Sequence, residues 1–150
     1  MLQALYALEL SGNSVEEVGR ELLSETEHHP RVLQFARQLL AKTYECREEF
    51  DELTRAKAFN WEVDRIAILD RLVLRMAMCE FLYFEDIPPK VSIDEAIELA
   101  KKYSTENSGK FVNGILDAVL SDLRNQGRVF KTGRGLDEGE QVVVAEEREE

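Results

Sequence analysis

Apolar residues recur at helical spacing along most of the chain, and nowhere alternate as a strand would over a useful length. Leu2, Ala4, Leu5, Tyr6, Leu8 and Leu10 predict a helix that Ser11-Gly12-Asn13 ends. Ser14 and Glu17 have capping-box spacing, so a short helix with the stripe Val15, Val18, Leu22, Leu23 follows. Pro30 suits the first position of a helix. Behind it Val32, Ala36, Leu39, Leu40, Thr43, Cys46, Phe50 and Leu53 form one side of a long helix that runs, or breaks and resumes, to about Lys57. The next long helix spans about Leu69 to Phe84. Its core arc takes Leu69, Leu72, Val73, Met76, Ala77, Cys79, Tyr83 and Phe84, and also Glu80, a carboxylate that needs a partner wherever it is buried. The opposite arc carries Asp70, Arg71 and Arg75 with Leu74 and Met78 among them. Three readings of those two apolar residues stay open: simple exposure, packing under a neighbouring helix, or a partner-binding patch.

Glu85 to Pro89 breaks the chain, and a helical hairpin follows. Ser92 and Glu95 again have capping-box spacing, ahead of Ile93, Ala96, Ile97, Ala100 and Tyr103. A second helix is expected from Ser108, with Phe111, Val112, Ile115, Leu116, Val119, Leu120 and Leu123 on one stripe. The polar loop between them, 104–109, is flanked by Lys101, Lys102, Lys110 and the aromatic Phe111. That arrangement suits a plain helix–loop–helix corner, and equally a loop that holds an anionic ligand. Asn125 and Gly127 offer a helix stop. Beyond it a sparse basic strip, Arg128, Lys131 and Arg134, precedes an acid-rich end, which reads as a flexible tail. The expected architecture is therefore all-α, with a helical domain at 1–125 and a basic-then-acidic tail at 126–150.

Composition changes the picture in two places. At 150 residues the length fits one domain, and a net charge of −11 argues against a general affinity for nucleic acid. Residues 137–150, however, hold seven acids against one arginine, so the body is only mildly acidic and a local basic site stays compatible with it. Cys46 and Cys79 lie inside helical patterns and read as buried thiols of a reducing compartment. The apolar run 66–84 contains Asp70, Arg71, Arg75 and Glu80, which makes it a core helix and not a membrane span. The expected location is cytoplasmic. His28-His29 has no third ligand at metal spacing, and Gly133-Arg134-Gly135 lacks the strand and helix of a phosphate loop. No nucleophile and base sit at recognisable spacing, so neither a cofactor nor an enzymatic activity is expected.

Several ordered motifs carry a family resemblance. They are Asn60-Trp61; Leu69-Asp70-Arg71 with Leu74-Arg75-Met76-Ala77 and Glu80; Ile87-Pro88 and Lys90-Val91; the run Ile93 to Lys101; and Lys110-Phe111-Val112-Asn113-Gly114-Ile115-Leu116-Asp117. Over about residues 1–125 the chain resembles the NusB family of bacterial transcription antitermination factors, and Gln3-Ala4-Leu5-Tyr6 resembles the end of that family's first motif. The resemblance implies about seven helices in two small packed bundles and no enzymatic activity. It further implies pairing with NusE, a ribosomal small-subunit protein, binding to the boxA RNA of nascent rRNA transcripts, and entry into the RNA polymerase elongation complex. By resemblance, Gln3, Tyr6, Asn107, Lys110 and Phe111 belong to an RNA-facing surface, to which the lysine pattern adds Lys101. Asp70 belongs to a NusE-facing surface, with Leu74 and Met78 as its expected patch, and Asn113 and Gly114 serve the hairpin's close packing. The family's arginine-rich segment before Gln-Ala-Leu-Tyr has no counterpart after Met1-Leu2. The expectation is a start upstream or a shortened chain; the alternative is a protein–protein adaptor with little RNA binding of its own.

Overall fold

The structure, a computed structural model, describes residues 2–11, 14, 16–18, 30–58 and 65–136, without the side chains of Ser11 and Arg134. The expectations for Val15, Leu22, Leu23, His28-His29, Asn60-Trp61 and the acidic end 137–150 lie outside the described residues. Six α-helices are described: α1 Leu2–Ser11, α2 Pro30–Glu45, α3 Arg47–Lys57, α4 Ile68–Tyr83, α5 Pro89–Tyr103 and α6 Glu106–Asn125. Residues 16–18 are also helical, and Gly133–Gly135 form a 3-10 turn. Among the described residues there is no strand, so the all-α expectation is met. No helix among them is long and apolar enough to cross a membrane.

The helix ends follow local chemistry. The Ser14 hydroxyl accepts from the Glu17 N–H at 3.1 Å, as a capping residue does. At the far end of α6, Gly127 takes φ +67°, its N–H reaches the Arg124 carbonyl, and the Arg128 N–H reaches the Leu123 carbonyl. These paired bonds are a Schellman closure, which needs the left-handed conformation that glycine adopts without a Cβ penalty. Two expectations shift. The hairpin's first helix begins at Pro89, with Pro88 as its cap, and not at Ser92. Proline has its φ preset and no N–H to leave orphaned, so it opens the helix three residues earlier and Ser92 is buried in the first turn. The second helix begins at Glu106, because the Thr105 hydroxyl accepts from the Ser108 N–H at 3.1 Å.

Helix α4 is the axis of the molecule. It packs with α5 and α6 as one three-helix group; α1 and α2 pack against each other and against its other side; α3 bridges α4 and α6. Lys57 and Asp122 join α3 to α6 at 2.6 Å. Residues Leu72 to Cys79 are consequently all buried. Leu74 and Met78 are 0% exposed, and the Thr54 hydroxyl of α3 meets the Met78 sulfur at 3.9 Å. This corrects the partner-patch reading of these two residues, which lie under neighbouring helices. The charged arc that suggested a surface is itself covered. Arg75 spans α1 and α3, with its Nε and Nη2 on the two Asp51 oxygens at 2.8 and 2.7 Å and its Nη1 on Glu9 at 3.0 Å.

The segment after α6 is not a free tail at its start. Arg128 pairs with Glu49 at 3.2 Å, and the Thr132 N–H donates to the Glu85 carbonyl. Gly135 sits so close on the Glu85 backbone that a Cβ has no room. Lys131 is buried, and its ammonium donates to the Glu80 and Phe84 carbonyls at 2.8 Å each. It thereby closes the C-terminal end of α4, where a cation is favoured by the helix dipole. The expected boundary at 125 is thus corrected: residues 126–136 are docked on the body.

Ser92 and the Lys131 charge both bear on the partner that the Glu80 carboxyl needs. Burial pushes the Glu80 carboxyl up to about 7, with Ser92 and the Lys131 charge opposing that rise. The folded protein therefore holds a proton that the unfolded chain, with an ordinary carboxyl near 4.5, has released. Stability should fall as pH rises between those values, by on the order of 2 kcal/mol from this group alone. Urea denaturation across that range should show the fall, and Glu80→Gln should flatten it; an unaltered pH slope in the variant would refute the assignment.

Candidate nucleic-acid interface

The α5–α6 corner presents the residues that the sequence singled out. Thr105 caps α6, and the Ser108 hydroxyl lies 2.8 Å from the Ser104 hydroxyl and 3.3 Å from that of Thr105. This hydroxyl cluster holds the loop against the first turn of α6. Lys101, Asn107 and Lys110 are exposed around it, and Phe111 is half-buried. Gly109 is buried, and a Cβ there would lie 3.0 Å from Lys101 Cγ, so the lysine stem crosses directly over the glycine. Gly109 is therefore the close-packing position of the corner. Gly114, expected in that role, is exposed, and a Cβ added there would meet nothing within 4 Å; Asn113 is exposed beside it.

Behind the corner a cavity of about 340 Å³ is lined by Arg65, Ile66, Ala67, Asp70, Thr105, Asn107, Ser108 and Phe111. The structure thus brings together Asn107, Phe111 and Asp70, two residues expected to face RNA and one expected to face a protein. Asp70 is only 6% exposed, and its Oδ1 has no hydrogen-bond partner. Burial raises its carboxyl above the ordinary value, and the neighbouring Ser108 opposes the rise. Arg65, Thr105 and Ser108 were not singled out from the sequence as site residues. Arg65 lies outside every helical stripe, and its place at the cavity comes from the fold alone.

Gln3 is exposed on α1, and Tyr6 is 39% exposed on the same helix, which packs on α4. Exposed aromatic and amide side chains, lysines and a half-buried phenyl ring are the groups that hold single-stranded RNA: ring faces stack on bases, amides meet base edges, and ammonium groups attract phosphates. Among the described residues no three His, Cys, Asp or Glu side chains cluster as metal ligands.

Comparison with known proteins agrees with this fold. The NusB family profile matches residues 1–121. The transcription antitermination protein NusB of Salinibacter ruber is 49% identical over 137 residues, 91% of this chain and 86% of that protein. The protein of the same name from Bacillus subtilis is 41% identical over 122 residues, 81% of this chain and 90% of its own length. Among solved structures, T. maritima NusB superposes with a TM-score of 0.74 at 39% identity, covering 81% of this chain and 85% of that one. A structure of the antitermination factors NusB and NusE in complex with dsRNA matches with a TM-score of 0.73 at 26% identity, covering 81% and 90%. With a profile match over most of its length and relatives this similar, the chain belongs to the NusB family.

Proposed function

We propose that this protein is a transcription antitermination factor that pairs with NusE and binds boxA RNA of nascent rRNA transcripts, acting in the cytoplasm within the RNA polymerase elongation complex. The observation that carries the reading is the α5–α6 corner, where Lys101, Asn107 and Lys110 stand exposed around the half-buried Phe111 on a chain of this family. Gln3 and Tyr6 on α1 extend the RNA-facing set. A relative has been solved with NusE and RNA together, which supports the pairing. Leu74 and Met78 are buried and support a NusE contact only from beneath, and Asp70, expected on the NusE side, lines the cavity beside Asn107 and Phe111.

Fluorescence binding of boxA RNA, with and without NusE, tests the proposal. Weak binding alone, clear binding with NusE and a steep loss between ~50 and ~200 mM salt are expected. Phe111→Ala should weaken binding about tenfold, the equivalent of one lost base stack. Lys110→Ala should lower the salt slope by about 1. The acidic body favours one other reading, an adaptor that contacts only protein. No binding of boxA RNA at low salt, with NusE binding intact, would favour that adaptor.

A further inference from the structure

We infer that a groove across the C-terminal end of α4 docks a short basic segment of a partner protein, anchored by one bulky apolar side chain. Residues 126–136 shape this end of the molecule, and they lie beyond residues 1–121 that the family profile matches. Lys131 turns inward onto the α4 carbonyls, and its neighbours face the other way, as alternate residues of an extended segment do. Phe130 is accordingly 63% exposed, and Thr132 lines the groove.

The groove consists of two hollows, of about 510 and 410 Å³, that meet at Gln38, Tyr83 and Phe84 between α2 and the end of α4. Ala41, Leu82, Tyr83 and Phe84 supply its apolar surface. Tyr83 is 40% exposed, yet its hydroxyl donates to Glu49 at 2.8 Å and the Lys42 ammonium lies 4.4 Å from the ring centre. A ring held at its hydroxyl and on its face has little freedom left to lose when a partner covers it. Single exposed aromatics are ordinary, but an ordered one in a groove of this size, with Phe130 on the segment that lines it, is the kind of surface that receives an anchor residue.

Charge selects the occupant. Glu45, Glu85 and Asp86 line the groove and are exposed, and Lys42 is the cation among the described lining residues. Such a rim repels RNA phosphates and attracts lysine and arginine. It also repels the chain's own acid-rich residues 137–150, and a second copy of a chain of net charge −11. A basic protein segment answers both the rim and the apolar floor. Asp70, at the RNA corner, and Tyr83 lie toward opposite ends of α4, about 20 Å apart at the helical rise, so the two surfaces are separate.

The test pans the full chain against displayed random twelve-residue peptides, and the most enriched peptide is then synthesised with a fluorescent label. Its sequence should combine lysine or arginine with a tryptophan, phenylalanine or leucine. At ~150 mM salt, where distant surface charges are largely screened, Glu85→Lys combined with Asp86→Lys should weaken its binding about tenfold. Phe130→Ala should weaken it about fivefold. Asp94→Lys combined with Glu98→Lys makes the same change in net charge on exposed positions of α5 and should leave binding within about twofold. Equal losses in the two double variants would reduce the attraction to overall charge and overturn the inference. So would an absence of enriched peptides, an acidic consensus resembling residues 137–150, or a dimer in sedimentation that Phe130→Ala dissolves, which would make a second copy the occupant. Binding of boxA RNA should be undiminished in Glu85→Lys with Asp86→Lys; its loss there would make this face part of the RNA surface and overturn the inference as well. Failure of the unaltered protein to bind RNA would strike the RNA-binding reading and leave this groove standing.

Discussion

Replacing Arg75 by alanine should destabilise the protein by about 3–5 kcal/mol, measured as the loss of unfolding free energy in urea. The guanidinium is almost wholly enclosed and bonds both oxygens of Asp51 on α3 and one oxygen of Glu9 on α1. Removing it leaves two largely covered carboxylates, Asp51 without its guanidinium and Glu9 with Arg71 at 4.0 Å, besides the space vacated under α1. The large cost comes from those stranded acids and not from the intrinsic worth of the ion pair. Asp51→Ala combined with Arg75→Ala should therefore cost less than the sum of the two single changes. Arg75→Lys should recover only part of the loss, since an ammonium cannot make the parallel bonds of the guanidinium fork. Strict additivity of Asp51→Ala and Arg75→Ala would show that the network does not act as a unit.

Lys131→Met should cost about 2–3 kcal/mol near pH 8, through the loss of two charge-assisted bonds to carbonyls at the end of α4, which keep only their longer backbone donors. The change also removes the positive charge that holds down the Glu80 carboxyl. Below the Glu80 titration near 7 that carboxyl is protonated and no longer needs the cation, so the cost of Lys131→Met should shrink toward pH 5. Thermal or urea melts at the two pH values separate this outcome from simple loss of packing, which would be equal at both. The same variant should release residues 128–136 to faster amide exchange, since Lys131 is the buried anchor of that segment.

The helical content and the position of the corner were legible in the chain because they rest on local chemistry. Pro30, the Ser14–Glu17 cap, Gly127 and the apolar stripe Phe111 to Leu123 act within one or two helical turns, whatever packs against them. The Ser92 capping box was misleading for an equally local reason, since Pro89 competes for the same helix start and wins. Glu80 was legible as a residue in need of a partner. The groups that meet it were not, because Ser92 comes from the next helix and the Lys131 charge from fifty-one positions along the chain, in a segment that reads as a tail. The residues proposed to face RNA came from resemblance together with the lysine pattern. The place of Asp70 beside Asn107 and Phe111 was not legible, since it depends on how α4 meets the corner.

Leu74 and Met78 mark the boundary between the two kinds of information. A helical wheel reports the composition of a face, and a face with Asp70, Arg71 and Arg75 looks solvated. Whether it is solvated depends on how many other helices arrive. Around α4 five of the described helices do, and the charged face is covered because Asp51 and Glu9 come with them. The sequence by itself therefore determined the helical character, the ends at Ser14, Pro30 and Gly127 and the family to which the chain belongs, all through short-range periodicity and motif. Only the tertiary structure decided which polar groups are paired, which segment is anchored and which carboxylate is left facing a cavity, because those outcomes depend on contacts between residues far apart in the chain.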